Sequence, residues 1–345
     1  MSEAERADMS RWGRLFTRLF ETPSGVFGLI LAILTLPLFV SIGLATEILI
    51  LGVFALSYNL MFGFTGLLSF GHALFFGFGA YLAAGIIIET GLPLLPTLVV
   101  VFLLALGLSL VIGLISIQLS GIAFAMVTLA FAQLGYEAVL KLDEYTGGAD
   151  GLLGIYRPSP LGLGLVDLTD EVMFYAVCAG IAVLCVSYTY LLSRSLFGRT
   201  LTAIRINEER TAALGVNTYR VKVIVFTIAG GMAAVMGGLW GMYIRFLSPQ
   251  ILYWSNTGDV ILYTLIGGMQ SVMGPILGAG FLRSVNRLLF ETEPGYYNVT
   301  VGTIFVLIVL FERGGFIEML NRAVQSLKNT VGKRSKSDEN SDSPR

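Results

Sequence analysis

Leu92-Pro-Leu-Leu-Pro-Thr-Leu-Val-Val-Val-Phe-Leu-Leu-Ala-Leu-Gly-Leu-Ser-Leu-Val-Ile-Gly-Leu-Ile-Ser-Ile117 carries no charged side chain. At about 1.5 Å of rise per residue, a helix over this run crosses a ~30 Å hydrocarbon core. Similar apolar runs stand on both sides of it. Working outward, spans are expected near residues 25–45, 47–62, 66–88, 92–117, 121–140, 172–192, 223–246, 260–273, 275–290 and 297–311. The fold expected is all-α, a polytopic transmembrane helical bundle of about ten spans with short or broken helices. Runs 47–62 and 260–290 are short for full crossings, and a bundle of about eight spans with a re-entrant pair is also compatible. The first run, 25–45, reads as a retained anchor rather than a cleaved leader.

Composition agrees. Of the 345 residues, 55% are hydrophobic and 13% charged, against about a quarter charged in soluble domains. Mean hydropathy is +0.79. A net charge of −1 provides no basic field for nucleic acid. Cys178 and Cys185 lie about two turns apart within one apolar run, where they read as packing residues. With a single histidine and two cysteines inside an apolar run, no metal site is expected. No phosphate loop occurs, since Gly332-Lys333 is followed by Arg334, and no G-x-S-x-G elbow is present. The chain is expected to hold no cofactor and to hydrolyse no ATP.

Charge sets the expected orientation. Residues 193–222 hold Arg194, Arg199, Arg205, Arg210, Arg220 and Lys222, and basic residues also mark 1–24 and 317–345. All three belong in the cytoplasm by the positive-inside rule. Residues 141–171 are acidic, with Asp143, Glu144, Asp150, Asp167, Asp170 and Glu171, and belong outside. Residues 1–24, with Trp12, Leu15, Phe16, Leu19 and Phe20 on one face, suit an interfacial amphipathic helix. Residues 25–316 form the expected permease domain. The tail at 317–345 is polar and expected to be disordered.

Three features carry functional expectation. The first is the basic connection at 193–222. Thr200 to Leu214 favours helix and Gly215 reads as its C-cap. Ala203, Ile204, Ala212 and Ala213 supply a small apolar surface, which suits either docking into a cytoplasmic subunit or lying on the bilayer. The second is a pair of glycine-broken segments, with Gly66, Ser69, Gly71 and His72 in one and Gly268, Ser271 and Gly274 in the other. Interrupted segments in the two halves of a transporter point to a solute path; packing through small residues is the alternative, and suits Gly237/Gly241 and Gly274/Gly278 better. His72 has no acidic neighbour within a turn or two, so a neutral ring bonded to broken backbone fits it better than a proton carrier. Glu137 and Gln133, one turn apart, can line the path or meet interfacial water. The third is the outer turn with Thr146, Gly147, Gly148 and Asp150, which suits a periplasmic mouth or a plain connection.

The segment Tyr58-Asn-Leu-Met-Phe-Gly-Phe-Thr-Gly-Leu-Leu-Ser-Phe-Gly-His-Ala-Leu-Phe-Phe-Gly-Phe-Gly-Ala80 resembles the hallmark of the LivM-type branched-chain amino acid permeases. Met126-Val-Thr-Leu-Ala-Phe-Ala132, Thr146-Gly-Gly-Ala-Asp-Gly151, Gly198-Arg-Thr-Leu-Thr-Ala-Ile-Arg205 and Ile266-Gly-Gly-Met-Gln-Ser-Val-Met-Gly-Pro-Ile-Leu-Gly-Ala279 extend the resemblance in order. It implies a permease subunit of an ATP-binding-cassette importer, working with a LivH-like sister permease and two cytoplasmic ATPases that bind ATP and magnesium. An extracytoplasmic binding protein delivers substrate. It also implies ATPase coupling through Glu209, Ala212, Ala213 and Gly215. Branched-chain amino acids are the implied solutes, with urea or short amides as the family alternative. Two departures stand out: the importer pattern E-A-A-x-x-x-G survives only as Glu209-Arg-Thr-Ala-Ala-Leu-Gly215, and Glu312-Arg313-Gly314 replaces the usual Pro-Arg-Gly. Outside the family, the rivals are a self-sufficient channel or secondary carrier, which would bury carboxylates at mid-membrane, and a non-transporting scaffold.

Overall fold

The computed structural model describes residue 28 and residues 30–33, 35–162, 167–269, 271–292 and 302–303. The segments 1–24 and 317–345, most of the expected span at 297–311 and part of that at 25–45 lie outside the described residues. Among the described residues the protein is a helical bundle without a strand. The helices, after a 3-10 turn at Leu36–Leu38, are α1 (Ile42–Thr65), α2 (His72–Thr90), α3 (Leu94–Ser116), α4 (Gly121–Lys141), α5 (Asp143–Thr146), α6 (Glu171–Arg194), α7 (Leu196–Ile206), α8 (Glu208–Ala213), α9 (Thr218–Ile244), α10 (Trp254–Gly267) and α11 (Gly274–Thr292). Six of them, α1 to α4, α6 and α9, are long and apolar enough to cross a membrane.

Local chemistry moves several boundaries from where the apolar runs put them. Pro37 sits in the 3-10 turn, and Ser41 adopts an extended ψ of 144° at the N-cap of α1. What reads as the end of one run and a short second one is therefore a single helix of 24 residues. Gly66 ends it with φ 78°, its N–H donating to the Phe62 carbonyl at 2.9 Å, a left-handed cap that glycine adopts without strain. Residues 66–71 then run without helical structure before α2 starts at His72. α10 has 14 residues, too few for an upright crossing, which needs about 20.

α1 is the axis of the bundle. Of its most apolar window 94% is buried, against 72% in α9, 61% in α2 and 33% in α3. It packs against α6, α9, α10 and α11. α3, α4 and α6 stand outside and turn Leu103, Val111, Ile122, Met126, Leu134 and Leu184 outward. So much exposed apolar surface suits lipid rather than water.

Backbones approach closely at two seams. A Cβ on Gly237 of α9 would lie 1.8 Å from the Phe76 carbonyl oxygen of α2, and one on Gly79 would lie 1.9 Å from that of Ala234. Between α10 and α11, a Cβ on Gly267 would meet the Gly274 oxygen at 1.7 Å, and one on Gly278 the Tyr263 oxygen at 2.0 Å. Glycine is what lets these helices touch through their backbones. Gly237, Gly274 and Gly278 thus do the packing that their spacing suggests.

Candidate functional site

At the basic end, α7 and α8 form an elbow instead of the single helix expected from Thr200 to Leu214. Asn207 breaks it. Its backbone is extended (φ −161°, ψ 104°) and its side chain accepts from the Arg210 N–H at 2.8 Å, capping α8. An asparagine side chain competes in this way with the helical ladder. The elbow is held from the inside. Leu201 and Ile204 are buried, and Arg205 donates to the Gly63 carbonyl at the end of α1. That burial lowers the Arg205 pKa from its ordinary value. Lys222 on α9, 8% exposed, pairs with Glu208 on α8 at 2.5 Å. Gly215 closes the elbow with φ 86°. Glu209, Ala212, Ala213 and Gly215 all face outward, beside Leu214 (82% exposed) and Ile206 (79% exposed). A clamped element with a free apolar tip can transmit displacement to α1 and α9.

The two glycine-broken segments meet on α1. His72 Nε2 lies 2.9 Å from Ser57 Oγ, so its partner is a side chain rather than broken backbone. The ring stacks on Phe54 at 5.5 Å between centroids. Ser69 Oγ accepts from the Gly71 N–H, and Gly71 packs with its backbone against Thr128 of α4. The Ala73 N–H, directly after His72, donates to Thr257 of α10 at 2.9 Å. Two residues beyond Ser57, Asn59 donates to the Ser271 carbonyl at 2.9 Å in the second break. There Gly268 has φ 107°, and Ser271 Oγ accepts from the Met273 and Gly274 N–H groups. Of the predicted path residues, Gly66 alone is exposed; Ser69, Gly71, His72, Gly268, Ser271 and Gly274 are packed in this conformation. Asn59→Leu removes the tie between the breaks and leaves a buried carbonyl unpaired. It is expected to cost about 1–3 kcal/mol, read as a lower melting temperature in detergent.

At the acidic end, Thr146 Oγ1 donates to the Val139 carbonyl at 2.6 Å, and Gly147 (φ 72°) and Gly148 (φ 52°) turn the chain through a 3-10 turn ending at Asp150. Leu152 and Leu247 then exchange backbone hydrogen bonds of 2.7 and 3.1 Å. Arg157 donates to the Met242 and Leu168 carbonyls and lies 4.0 Å over the Phe174 ring, its pKa lowered by burial. The turn at residues 146–150 is thereby fastened to the segment after α9. Gln133 donates to Glu137 at 3.0 Å on the exposed face of α4.

Beside Leu247 opens a cavity of about 340 Å³ that the expected site did not contain. Asp259 of α10 and Arg283 of α11 line it, and Arg283 pairs with Glu47 of α1 at 3.1 Å. The signal was present in the sequence: Glu47 and Arg283 interrupt apolar runs, and Asp259 immediately precedes one. Charges in such places are rare and mark candidate functional sites.

Residues 40–310 match the family model described as branched-chain amino acid transport system / permease component. The chain belongs to this family. It is 30% identical over 313 residues to the high-affinity branched-chain amino acid transport system permease protein LivM of Escherichia coli (strain K12), covering 85% of this chain and 73% of that one. Its counterpart from Salmonella typhimurium is 28% identical over 299 residues, 81% of this chain and 70% of that one. More distant is the autoinducer 2 import system permease protein LsrC of Salmonella typhi, 28% identical over 201 residues, 52% of this chain and 57% of that one. No solved structure matches. Members of this family are membrane subunits of transporters, not enzymes, and the helical bundle and the outward apolar faces agree with an embedded permease.

Proposed function

We propose that the chain is a permease subunit of an ATP-binding-cassette importer that moves branched-chain amino acids across the inner membrane. The observation that carries the coupling part of this reading is the elbow of α7 and α8. It is clamped to α1 through Arg205 and to α9 through Lys222, and it offers Ala212, Ala213 and Leu214 to a partner. A helix lying on the bilayer would have no need of such clamps.

In the mechanism, two ATPases dock on the elbow, and their closure on ATP displaces it as a lever. The movement reaches α1 at Gly63, and α1 carries both glycine-broken segments at Ser57 and Asn59. Helices flanking the breaks then rock and exchange the open side. ATP and magnesium reside on the ATPases, and this chain holds no cofactor. A LivH-like sister permease completes the pathway, and an extracytoplasmic binding protein delivers solute to the acidic end, near Thr146, Gly147, Gly148 and Asp150. Both termini lie in the cytoplasm with the basic end. The permease domain spans 25–316 with its coupling loop at 193–222.

Reconstitution of the full set of subunits in liposomes tests this. Labelled leucine is expected to accumulate only with ATP inside and binding protein outside, and labelled urea is not. Uphill uptake by this chain alone would identify a self-sufficient carrier instead, and preference for urea would move the chain to the amide branch of the family.

A further inference from the structure

Three helices bring charged side chains to the cavity beside Leu247 or to its wall. Arg283 is held by Glu47, while the Asp259 carboxylate, among the described residues, engages no ion pair or hydrogen bond. The rest of the wall is largely apolar and aromatic, with Leu51, Phe54, Phe76 and Trp240. One lining therefore offers a carboxylate, a guanidinium and an apolar surface. A free α-amino acid carries the complement: an ammonium, a carboxylate and, in the branched-chain members, an aliphatic side chain.

We propose that this cavity is a transit site for an α-amino acid zwitterion. The Asp259 carboxylate accepts hydrogen bonds from the ammonium. The Arg283 guanidinium donates to the substrate carboxylate while keeping Glu47, which its several N–H groups allow. The aliphatic side chain rests against Phe54, Phe76 and Trp240. At about 340 Å³ the cavity lies at the small end of the ~300–1,000 Å³ typical of ligand sites, the right scale for one amino acid. The ammonium answers the Asp259 carboxylate, which a simple carboxylate or neutral urea would leave without a counter-charge. The rim is placed for delivery: Leu247 lines the cavity and bonds to Leu152, directly after the outer turn.

This inference rests on the import reading, and the test separates the two. Leucine uptake is measured in liposomes holding the complete transporter, with one preparation of loaded binding protein throughout, so that differences arise within the membrane subunits. Wild-type uptake tests the reading. D259N and R283Q are each expected to lower leucine uptake about tenfold or more, the loss of one charge-assisted hydrogen bond, while still co-purifying with the partner subunits. D259E, which keeps the carboxylate, is expected to restore most of the rate. Wild-type rates in D259N and R283Q would overturn the site and leave the import reading standing. So would a D259E as slow as D259N, which would make Asp259 a packing residue. A wild-type transporter that moves urea and no amino acid would overturn both.

Discussion

Gly237→Val is expected to leave no folded permease in the membrane. The Cβ it adds would stand 1.8 Å from the Phe76 carbonyl oxygen, where real Cβ contacts stay beyond 3.0 Å. The difference, 3.0 − 1.8 = 1.2 Å, must come from parting α2 and α9, because the obstacle is backbone and has no rotamer to yield. The helices cannot part locally. Gly79 locks the same seam one turn away against Ala234, and Gly238 abuts Ala83. Opening it loosens the buried faces of both helices. Ordinary overpacking costs about 1–3 kcal/mol when side chains can shift; here they cannot, and net stability is only about 5–15 kcal/mol. Gly180→Val on α6, where nothing lies within 4 Å of the added Cβ, is the matched control and is expected to accumulate normally. Yield of monodisperse protein after detergent extraction distinguishes them. Equal yields would show that the seam is not built on backbone contact.

Leu214→Glu is expected to do the opposite, sparing the fold and abolishing assembly with the ATPases. Leu214 is 82% exposed, and substitutions at such positions shift stability by no more than about 0.5 kcal/mol. At the centre of a docking surface, a buried apolar contact replaced by a carboxylate removes about 2–4 kcal/mol of binding, roughly 30- to 1,000-fold. Gly215→Pro strikes the same element through its backbone, since φ 86° is closed to proline. Leu214→Glu is expected to keep the wild-type melting temperature and Gly215→Pro to lower it, and both are expected to lose co-purifying ATPase and ATP-dependent uptake. Full assembly and uptake in both would remove the elbow from the coupling route.

Much of this was legible along the chain. Charge-free runs such as 92–117, some 26 residues long, demand helices in lipid, because within a single segment only a helix satisfies every backbone group there without water. Gly215 reads as a helix end and has the left-handed φ expected of one. Glu209, Ala212, Ala213 and Gly215, which the resemblance implies for coupling, are exposed in the fold, while Thr211 between them is buried and Asn207 divides the helix before them. Ser57 as the partner of His72 was not legible, since the two lie on different helices and nothing local links them. Nor was the meeting of Glu47, Asp259 and Arg283, which are scattered over three helices.

What the amino-acid order alone determined was membrane embedding, the basic and acidic ends, and the glycines where helices stop or touch. Which helix occupies the centre was decided only by the tertiary structure. α1 and α3 are both long apolar helices, yet one window is 94% buried and the other 33%. In water a polar face would mark the outside of each. In a bilayer the lipid tails are as apolar as the protein interior, so a side chain suited to the core is equally suited to the surface. The choice then falls to backbone fit at Gly79, Gly237, Gly267 and Gly278, and to a few polar ties such as Asn59 to Ser271.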